Sequence, residues 1–328
     1  MRYIRNTSTD VYYNMAFDEY VLEHLPLDEP LFFLWQNRAA VIIGINQDPH
    51  IEVDMDYLNQ HDVVLARRIT GGGAVFHDLG NLNYTIVGRS ADIERDYPGY
   101  ARHMMLALQA LGVPAELSGR NDILVDGLKV SGYAKRVYKD RLMVHGTLMY
   151  DVDMEHLVRS LTPTADKLAS KGIASVRSRV ANLKNYLPDI ANVRELAQAL
   201  ECNLSRQYRD KEYLLSVAQR EAISVIAKTK FATPRWIYGR SPSSNVVYSR
   251  HLPCGKVEIC LCVKRGCIDS IHVGGDFIGN LPVTGVEQLL HGCLYERQAL
   301  LDRLKDIDIQ EFFDNTPVEL FVNLLFNL

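Results

Sequence analysis

The sequence predicts an α/β protein of the α+β kind, with a large domain on a mixed, mostly antiparallel sheet and a small C-terminal α+β domain. The chain has 328 residues, about the length of two average domains. Short apolar runs joined by tight turns between residues 121 and 150 predict an antiparallel meander, because hairpin loops cannot connect parallel neighbours. A Gly/Ser/Pro stretch at 239–245 has the composition of a linker. We therefore expect domains at 1–240 and 247–328.

Composition and charge narrow the classes of function. Hydrophobic residues make up 47% and charged residues 23% of the chain, values typical of a globular protein with a core. The formal net charge is −4, which argues against nucleic-acid binding as the main activity. No apolar run reaches the ~18 residues of a membrane span, and the N-terminus resembles no targeting segment. We expect a cytoplasmic protein with neither a nucleic-acid nor a membrane partner.

The six cysteines all follow residue 201. Their spacing from Cys254 to Cys267 is C-x5-C-x-C-x4-C, which lacks the paired C-x2-C units of structural zinc sites. A secreted disulfide framework would not be confined to one end of so long a chain. The pattern predicts reduced, small apolar side chains packed in strands.

The elements of the first half follow from periodicity and turn residues. Apolar residues at helical spacing predict a helix at 12–22, and another over 100–111 that ends at Gly112. The runs 31–35 and 40–44 read as two strands of one hairpin. Further strands are predicted at 63–68, 74–77, 81–87, 123–125, 128–136 and 142–150.

The second half is predicted from the same signals. The segment 171–179 shows no period and is expected to be a loop, between the sheet and helices at 192–204 and 211–228. Beyond the linker, strands precede helices, an order typical of a small α+β domain. These elements are expected at 256–263, 267–273, 284–305 and 309–326.

The glycine run Gly71–Gly73 is the first chemical feature. Without Cβ atoms, the backbone N–H groups of such a run are open to a ligand, and Arg67 and Arg68 just before it supply forked donors for phosphate or carboxylate. Glycines between strands are equally typical of plain turn chemistry. Neither the dinucleotide fingerprint nor a P-loop is present, so a bound phosphate would lie on loop amides and cationic side chains.

A second feature is the strand that contains Lys129. Alternation in a strand puts Lys129, Ser131 and Tyr133 on one face, and the interior Gly132 is typical of a close approach by a ligand. Lys129 could equally lie on a solvated face. Asn121 and Asp122, just before the preceding strand, could contact a base or a metal-bound phosphate, or form only a turn.

Two histidines lie at the ends of this region. His77 and His145 could do acid–base chemistry. No serine or cysteine nucleophile is visibly paired with either one, so a hydrogen-bonded structural role is favoured for both.

Taken together, these stretches resemble the lipoate–protein ligase A family, relatives of biotin protein ligase and octanoyl transferase. The resemblance spans nearly the whole chain and rests on motifs in a fixed order. They are Asn14-x-Ala16, Arg67-Arg68-x-x-Gly71-Gly72-Gly73-Ala74-Val75-Phe76-His77-Asp78, Gly119-Arg120-Asn121-Asp122, Lys129-Val130-Ser131-Gly132, His145-Gly146-Thr147-Leu148, Lys171-Gly172-Ile173 with 175–180, and Trp236-x-Tyr238-Gly239.

The resemblance implies an ATP-dependent ligase. Lipoate would attack the α-phosphate of ATP to form lipoyl-AMP, and a lysine of an acceptor domain would then capture the acyl group. The acceptors implied are lipoyl domains of 2-oxoacid dehydrogenase E2 subunits or the glycine-cleavage H protein. Mg²⁺ would accompany the phosphates, and no protein cage is expected for it, although Asp122 could touch it.

The resemblance also implies site residues. Lys129 would be catalytic and contact both the acyl oxygen and the α-phosphate, and Arg177 and Arg179 would lie in a lid over the adenylate. The adenylate site would comprise Arg68, Gly73, Ala74, Val75, Phe76, Asn121, Asp122 and Lys129. The lipoate slot would be walled by Trp35, Val75 and His77.

Two alternatives stay open, and a third is disfavoured. A lipoyltransferase that takes premade lipoyl-AMP would keep the same pocket without the pyrophosphate-releasing step. A non-catalytic lipoate- or nucleotide-binding protein could share the scaffold. Octanoyl transferases and amidotransferases use a cysteine acyl-enzyme, and the absence of cysteine from residues 1–201 argues against them.

Overall fold

The computed structural model describes residues 1–45, 47, 49–89, 97–118, 121–161, 179–207, 212–239, 244–277 and 279–328. These residues fall into two compact units, the first formed by 1–45 with 51–233 and the second by 46–50 with 234–328. Each unit has a hydrophobic core of its own.

The first unit is built on a seven-stranded sheet. Its strands, in spatial order, are β1 (Arg2–Tyr3), β2 (Leu31–Trp35), β6 (Asn81–Arg89), β10 (Arg141–Met149), β9 (Leu128–Tyr138), β8 (Asp122–Val125) and β7 (Ala115–Ser118). Only the β1–β2 pair among these is parallel. The predicted mixed, mostly antiparallel sheet is confirmed, and so is the meander through β8, β9 and β10.

The two faces of this sheet differ in chemistry. One face carries apolar side chains that pack against α4 (Tyr97–Gln109) and α6 (Val193–Gln207). The other face is polar although it is buried: β6 alternates Leu82, Tyr84 and Ile86 with fully buried Asn81, Asn83 and Thr85. Because side chains alternate along a strand, this alternation assigns the polar set to a single face. Burying polar groups costs free energy unless they are hydrogen-bonded, which makes the polar face the place to look for function.

A second, three-stranded sheet has the order β4 (Val64–Arg67), β3 (Ala40–Ile43) and β5 (Val75–His77). The predicted hairpin of 31–35 with 40–44 is therefore wrong, since β2 pairs with β6 and β3 pairs with β4 and β5. Every residue of β2 and β3 is buried. Two fully apolar runs carry no alternation that identifies their partners, so proximity in sequence was misleading.

Helix α1 (Val11–His24) is capped by Asp10, whose side chain accepts hydrogen bonds from the backbone N–H groups of Tyr12 and Tyr13. The predicted helix at 211–228 begins later, at Val217, because Ser216 forms a capping box with Gln219. This helix, α7 (Val217–Ile226), continues into a π-helical turn over Ala227–Phe231. Short helices α2 (Pro49–Glu52), α3 (Met55–Gln60) and α5 (Met154–Ser160) and a 3₁₀ turn at Leu183–Tyr186 were not predicted.

The second unit contains α8 (Pro234–Ile237) and the antiparallel sheet β11 (Ser244–Leu252), β12 (Gly255–Lys264) and β13 (Cys267–Gly275). Strand β11 was missed because its first residues were assigned to the linker. The predicted helix at 284–305 is two helices, α9 (Thr284–Leu290) and α10 (Arg297–Leu304), separated by Gly292 with φ +75°. The predicted helix at 309–326 is also two elements, a 3₁₀ turn (Ile309–Glu311) and the helix α11 (Val318–Leu325), which begins after Pro317.

All six cysteines are free thiols. The sequence predicts that they are small apolar side chains packed in strands. Cys254 is buried as expected, whereas Cys202 and Cys260 are exposed. Within the described residues, none of the helices combines the length and the apolar character needed to cross a membrane.

Candidate active site

A cavity follows one row of residues across the polar face of the large sheet. Trp35 on β2 is paired with Asn83 on β6, and Asn83 with Thr147 on β10. Thr147 Oγ1 then accepts a hydrogen bond of 3.2 Å from the backbone N–H of Gly132 on β9. All four residues line the same cavity, together with Lys129. With strands about 4.8 Å apart, the three steps from β2 to β9 span ~14 Å, enough for an extended carboxylic acid of medium length.

The walls of the cavity are mainly apolar. Met15 of α1, Ile42 of β3, Ala74, Val75 and Ala134 contribute to them. A slot with apolar walls and a few convergent polar groups is the usual form of a small-molecule site. Trp35 stands edge-on to His77, with ring centroids 6.0 Å apart, at the β2 end of the row.

Arg68 holds the glycine loop, Gly71–Gly73, through the loop's backbone carbonyl groups. Arg68 as a residue is 6% exposed, and its guanidinium donates to four groups: the backbone carbonyls of Ile42 (3.0 Å), Gly71 (2.7 Å) and Gly73 (2.8 Å) and the Thr70 hydroxyl (2.9 Å). Burial lowers the pKa of this guanidinium to about 10, so it stays charged at neutral pH. Because the loop carbonyls point toward Arg68, the guanidinium fixes the conformation in which the loop amides are presented.

Gly44 lets the loop close down on strand β3. A Cβ atom at Gly44 would lie 2.3 Å from the carbonyl oxygen of Gly72, and Gly72 itself has φ +95°. Neither position accepts a larger residue without moving the backbone. Of the three glycines in the loop, only Gly72 is required by the backbone conformation. A Cβ at Gly71 or Gly73 would meet nothing within 4 Å.

Lys129 lies at the other end of the row. Its Nζ is 2.8 Å from Asp122 Oδ1, and both side chains are about one-third exposed. Asp122 therefore holds the ammonium group beside the cavity. The backbone N–H of Lys129 donates to the carbonyl of Arg179 at 2.8 Å, so Arg179 is anchored next to this lysine.

The predicted face of β9 is wrong. Ile123 pairs with Ser131 and Leu124 with Lys129, which leaves Val130 as an extra residue in a β-bulge. The bulge reverses the alternation, so Lys129 shares a face with Gly132. A Cβ at Gly132 would lie 3.0 Å from both Cε and Nζ of Lys129, while Ser131 is fully buried. Tyr133 packs in the hydrophobic core and also borders the cavity.

A buried chain of hydrogen bonds connects the glycine loop to Asp18. Arg68 Nε donates to Thr70 Oγ1, the Thr70 hydroxyl lies 2.8 Å from His145 Nε2, and His145 Nδ1 lies 2.7 Å from Asp18 Oδ2. Thr70 Oγ1 accepts from Arg68 and shares a further hydrogen bond with His145 Nε2, and His145 Nδ1–H donates to the Asp18 carboxylate. All three groups beyond Arg68 are more than nine-tenths buried.

A second chain reaches the same carboxylate from the other end of the cavity. Trp35 Nε1 donates to Thr85 Oγ1 at 2.9 Å, and Thr85 Oγ1 donates to Asp18 Oδ1 at 2.8 Å. Asp18 therefore accepts hydrogen bonds from both chains. A fully satisfied buried network of this kind is rigid, and it ties the Trp35 end of the slot to the glycine loop.

Most of the residues predicted from the sequence come together here. Phe76 is buried, but its side chain does not line the cavity and instead stacks on His156, with centroids 6.2 Å apart. Asp122 contacts the cavity only through Lys129. The predicted residues that line the cavity are Trp35, Arg68, Gly73, Ala74, Val75, His77, Asn121 and Lys129.

Of the two arginines of the predicted lid, Arg177 lies outside the described residues. Arg179 is described and exposed, and its carbonyl is the group that binds the Lys129 N–H. The lid itself stays a prediction.

Several residues of the site were not predicted. Met15, Ile42, Asn83 and Thr147 line the cavity, and Asp18, Thr70 and Thr85 support it. One signal was available in the sequence, namely the polar alternation Asn81-x-Asn83-x-Thr85 within an otherwise apolar strand. The other residues come from segments far apart in the chain, and only the tertiary fold brings them together.

The fold and the cavity together define a class of protein: an α/β enzyme domain with a slot for an extended acid that ends between one lysine and a loop of open backbone amides. Among curated proteins, the chain is similar to the lipoate-protein ligase LplJ of Bacillus subtilis, with 38% identity over 317 residues, 95% of this chain and 96% of the relative. It is also similar to lipoate–protein ligase 1 of Staphylococcus aureus, with 36% identity over 327 residues, 99% of this chain and 100% of the relative.

Solved structures agree with these relatives. A bi-partite lipoate protein ligase from Thermoplasma acidophilum, described with its E2 lipoyl domain, superposes with a TM-score of 0.67 at 26% identity, covering 75% of this chain and 98% of that one. Two further ligase structures each give a TM-score of 0.61. One, from T. acidophilum, has bound lipoic acid (27% identity, 72% and 97% coverage), and the other has bound ATP (26% identity, 72% and 97%).

The family models match both parts of the chain. Residues 10–205 match the lipoyl protein ligase A/B catalytic domain, and residues 241–325 match the bacterial lipoate protein ligase C-terminus. The chain belongs to the lipoyl protein ligase A/B family. The resemblance drawn from the motifs is confirmed.

Proposed function

We propose that this protein is an ATP-dependent lipoate–protein ligase that activates lipoate as lipoyl-AMP and transfers the lipoyl group to a lysine of an acceptor domain. The observation that carries this is the cavity itself. It runs ~14 Å across three strand spacings, from the Trp35–His77 end to Lys129, beside a glycine loop held by a buried arginine. Membership of the family and the relatives named as lipoate–protein ligases support the same activity.

The first step joins the two substrates. A lipoate carboxylate oxygen attacks the α-phosphorus of ATP, a new P–O bond forms, and the bond to the β-phosphate oxygen breaks to release pyrophosphate. Charge builds on the phosphoryl oxygens in the transition state, so fixed cations and amide donors aimed there lower the barrier. Lys129 is the cation at the slot's end, and the amides of the glycine loop are the donors.

Arg68 acts through the loop more than through the nucleotide. Its guanidinium already donates hydrogen bonds to four protein groups, and Arg68 is almost fully buried. Its positive charge still lies directly beneath the loop amides. Arg68 thus orients these amides, and its charge adds to their attraction for a phosphate.

Mg²⁺ is the metal that ATP chemistry of this kind calls for. Within the described residues, no group of three or more His, Cys, Asp or Glu side chains could hold a metal. Magnesium usually keeps waters and binds through substrate phosphates and one or two carboxylates. Asp122, which lies near Lys129, is the carboxylate that would contact an ion arriving on ATP, where Mg²⁺ would neutralise phosphate charge.

The second step consumes the adenylate. The ε-amine of an acceptor lysine attacks the acyl carbon, a C–N bond forms, and the C–O bond to phosphate breaks to release AMP. The proton leaves the amine to solvent or to a nearby carboxylate. Lys129, which can reach the acyl oxygen, stabilises the oxyanion that forms.

The acceptors we propose are lipoyl domains of E2 subunits or the glycine-cleavage H protein. An E2 lipoyl domain accompanies one structurally similar ligase. Residues 1–240 would carry both reactions, and 247–328 would form an accessory domain. We also propose a cytoplasmic location, in line with six free thiols.

One experiment tests the activity and separates the alternatives. Protein, Mg²⁺-ATP and lipoate are mixed with and without a lipoyl domain, while pyrophosphate and acceptor mass are followed. Pyrophosphate without acceptor demonstrates activation, and added acceptor mass demonstrates transfer. If only synthetic lipoyl-AMP supports transfer, the protein is a transferase, and if neither reaction occurs it is a binding protein.

Lys129→Ala provides the link to the site. We expect it to abolish both partial reactions while circular dichroism and thermal unfolding stay unchanged, since the Lys129 side chain is partly exposed and pairs with a partly exposed carboxylate. Lys135→Ala is the matched control, because Lys135 lies on the same strand and is exposed. Normal lipoate-dependent exchange of pyrophosphate into ATP by Lys129→Ala would refute the assignment.

A further inference from the structure

The two edges of the three-stranded sheet in the second unit differ in how their backbone groups are bonded. At the β13 edge, the N–H of Ile268 donates to the carbonyl of Cys293 at 2.8 Å, and its carbonyl accepts from the N–H of Gly292 at 2.7 Å. Farther along β13, the N–H of Val273 donates to Glu287 Oε1 of α9 at 2.8 Å. This edge is covered by its own chain, as the edges of natural sheets usually are.

Strand β11 forms the other edge, and its pairing with β12 shows which of its backbone groups point away from the sheet. His251 is paired with Lys256, whose own N–H and carbonyl are bonded to Asp276, on the side of β12 that faces away from β11. The two residues therefore exchange no hydrogen bonds, and such pairs alternate with hydrogen-bonded pairs along an antiparallel ladder. Since the register is continuous over the whole of β11, the N–H and C=O groups of His251, Ser249 and Val247 all point outward.

The outward groups of β11 are open to solvent. Within the part of the chain that the structure describes, the outward N–H and C=O groups of Val247, Ser249 and His251 make no hydrogen bond. The side chains of all three residues are exposed, and that of Val247, at the centre of the strand, is 71% exposed. A long open edge of this kind is a template for pairing with another strand.

We propose that β11 is an interface with a second copy of this chain, in which two β11 strands pair antiparallel across a two-fold axis. The two three-stranded sheets then become one sheet of six strands. Such an interface is self-complementary, because each edge supplies the donors and acceptors that the other edge needs. This association is separate from the proposed ligase activity and does not depend on it.

The side chains of β11 favour one register for this pairing. With Val247 opposite its own copy, Asn245 lies opposite Ser249, and Val246 lies opposite Tyr248. The outward groups of the central pair and of the two flanking Asn245–Ser249 pairs then form about six main-chain hydrogen bonds. Val246 and Tyr248 are only partly buried against the core of this unit, and each would be covered further by the other's copy.

The charge on β11 excludes the neighbouring register. Centred on Val247, the pairing puts the two copies of Arg250 six residues apart along the strand, a distance of ~20 Å. Centred on Ser249, it would make the two copies of Arg250 diagonal neighbours ~7–8 Å apart. Like charges at that distance destabilise a sheet, and Arg250 is exposed and has no acidic residue beside it on β11.

The size of the interface predicts a weak, reversible dimer. One pair of strands with few side-chain contacts buries less than the ~1,200–2,000 Å² of a standard interface. Interfaces of even the standard size bind with dissociation constants from micromolar to picomolar. We therefore expect a dissociation constant above ~1 µM.

Sedimentation velocity on the full chain, from low to high micromolar concentration, measures this association. The unmodified protein should show a monomer–dimer equilibrium. Val247→Lys places two ammonium groups opposite each other at the two-fold axis and should weaken the dimer about fivefold or more. Val247→Pro removes an N–H that donates only across the interface, so it should abolish the dimer and spare the β11–β12 ladder.

Ser270→Lys is the matched control for charge. Ser270 is exposed and lies on the same face of the sheet as Val247, but on β13, two strands from the open edge. Its dimerisation should equal that of the unmodified protein. Circular dichroism checks that the variants fold, and Val247→Lys, a change at an exposed position, decides the question if the proline variant does not fold.

Hydrogen exchange measured by mass spectrometry locates the interface. The backbone amides of residues 245–251 should exchange more slowly at high than at low protein concentration. A monomer at every concentration, or a dimer that survives both Val247 variants, would overturn the proposal. Protection that is independent of concentration would do the same, because the chain would then cover its own edge, and so would protection that appears only when a lipoyl domain is added, because the acceptor would then be the occupant.

Discussion

Gly132→Ala tests whether the position of the Lys129 ammonium group determines the rate of the proposed reactions. Gly132 lies in β9 on the same face as Lys129, because of the bulge at Val130. Its φ is not in the left-handed region, so alanine fits the backbone. The added Cβ would lie 3.0 Å from both Cε and Nζ of Lys129, and the next nearest atom, Asp122 Oδ1, would be 3.9 Å away. The substitution therefore displaces only the end of the Lys129 side chain.

The contact distance gives the expected magnitude. A distance of 3.0 Å is several tenths of an ångström too short, so Nζ must move outward and its 2.8 Å pair with Asp122 must lengthen. A misplacement approaching 1 Å costs up to ~10²-fold in rate. The fold should barely respond, because Lys129 ends in a flexible, partly exposed chain and alanine is favoured over glycine in a strand by ~0.5–1 kcal/mol.

The assay compares rate with stability. We expect kcat for pyrophosphate exchange and for acyl transfer to fall about 10- to 100-fold, while the free energy of unfolding in urea changes by less than ~1 kcal/mol. Gly274→Ala is the control. It is also a strand glycine with ordinary φ, on β13, but its added Cβ would only reach His272 Nε2 at 4.0 Å, so both quantities should stay at their original values.

Two results would refute this reasoning. Full activity in Gly132→Ala would mean that the exact place of the Lys129 ammonium is unimportant. A loss of several kcal/mol of stability would mean that the new methyl group strikes the backbone and not a side-chain end.

Three further predictions concern the parts that support the site. Gly44→Ala puts a Cβ 2.3 Å from the carbonyl oxygen of Gly72. It should raise KM for ATP in exchange assays and lower the free energy of unfolding by ~1–3 kcal/mol; an unchanged KM would show that the loop does not bind nucleotide. Thr70→Val leaves His145 Nε2 buried without its hydrogen-bond partner and should cost ~1–3 kcal/mol in urea unfolding, with Thr70→Ser close to the original. The third concerns pH: the pKa of His77 is about 3 in the folded protein against an ordinary 6.5, so between these values only the unfolded chain binds the proton. Stability from this group is present above pH 6.5 and is lost as pH falls, by ~2 kcal/mol from pH 7 to pH 5. His77→Phe should lack this component, and equal pH slopes for the two proteins would contradict the burial.

The parts of the fold that the sequence predicted well are those with local signals. The meander through β8, β9 and β10 follows from the Asp126–Gly127 turn, where both residues have positive φ as a type I′ hairpin turn requires. The helix at α1 follows from its periodicity and from Asp10 as its cap. In each case the evidence lies within a few residues of the element that it specifies.

The errors came where partners are distant. Strands β2 and β3 are adjacent in sequence but lie in different sheets, and nothing in two wholly apolar runs distinguishes these pairings. The face of Lys129 was wrong because the bulge depends on the register of β9 against β8, a property of two strands together. One extra residue inverts every side chain that follows it.

By itself, the sequence determined the family, the identity of the chemical groups and most of the residues that line the cavity, since motifs of glycine, arginine and lysine at fixed spacing carry that chemistry. Only the tertiary structure decided what those groups do. It showed that Arg68 supports the loop through its carbonyl groups, that Asp18 joins Trp35 to the loop through two hydrogen-bonded chains, and that Asn37 lies against Nδ1 of His77. The physical reason is that hydrogen-bond direction and burial depend on atoms brought together from distant segments, and no local pattern encodes them.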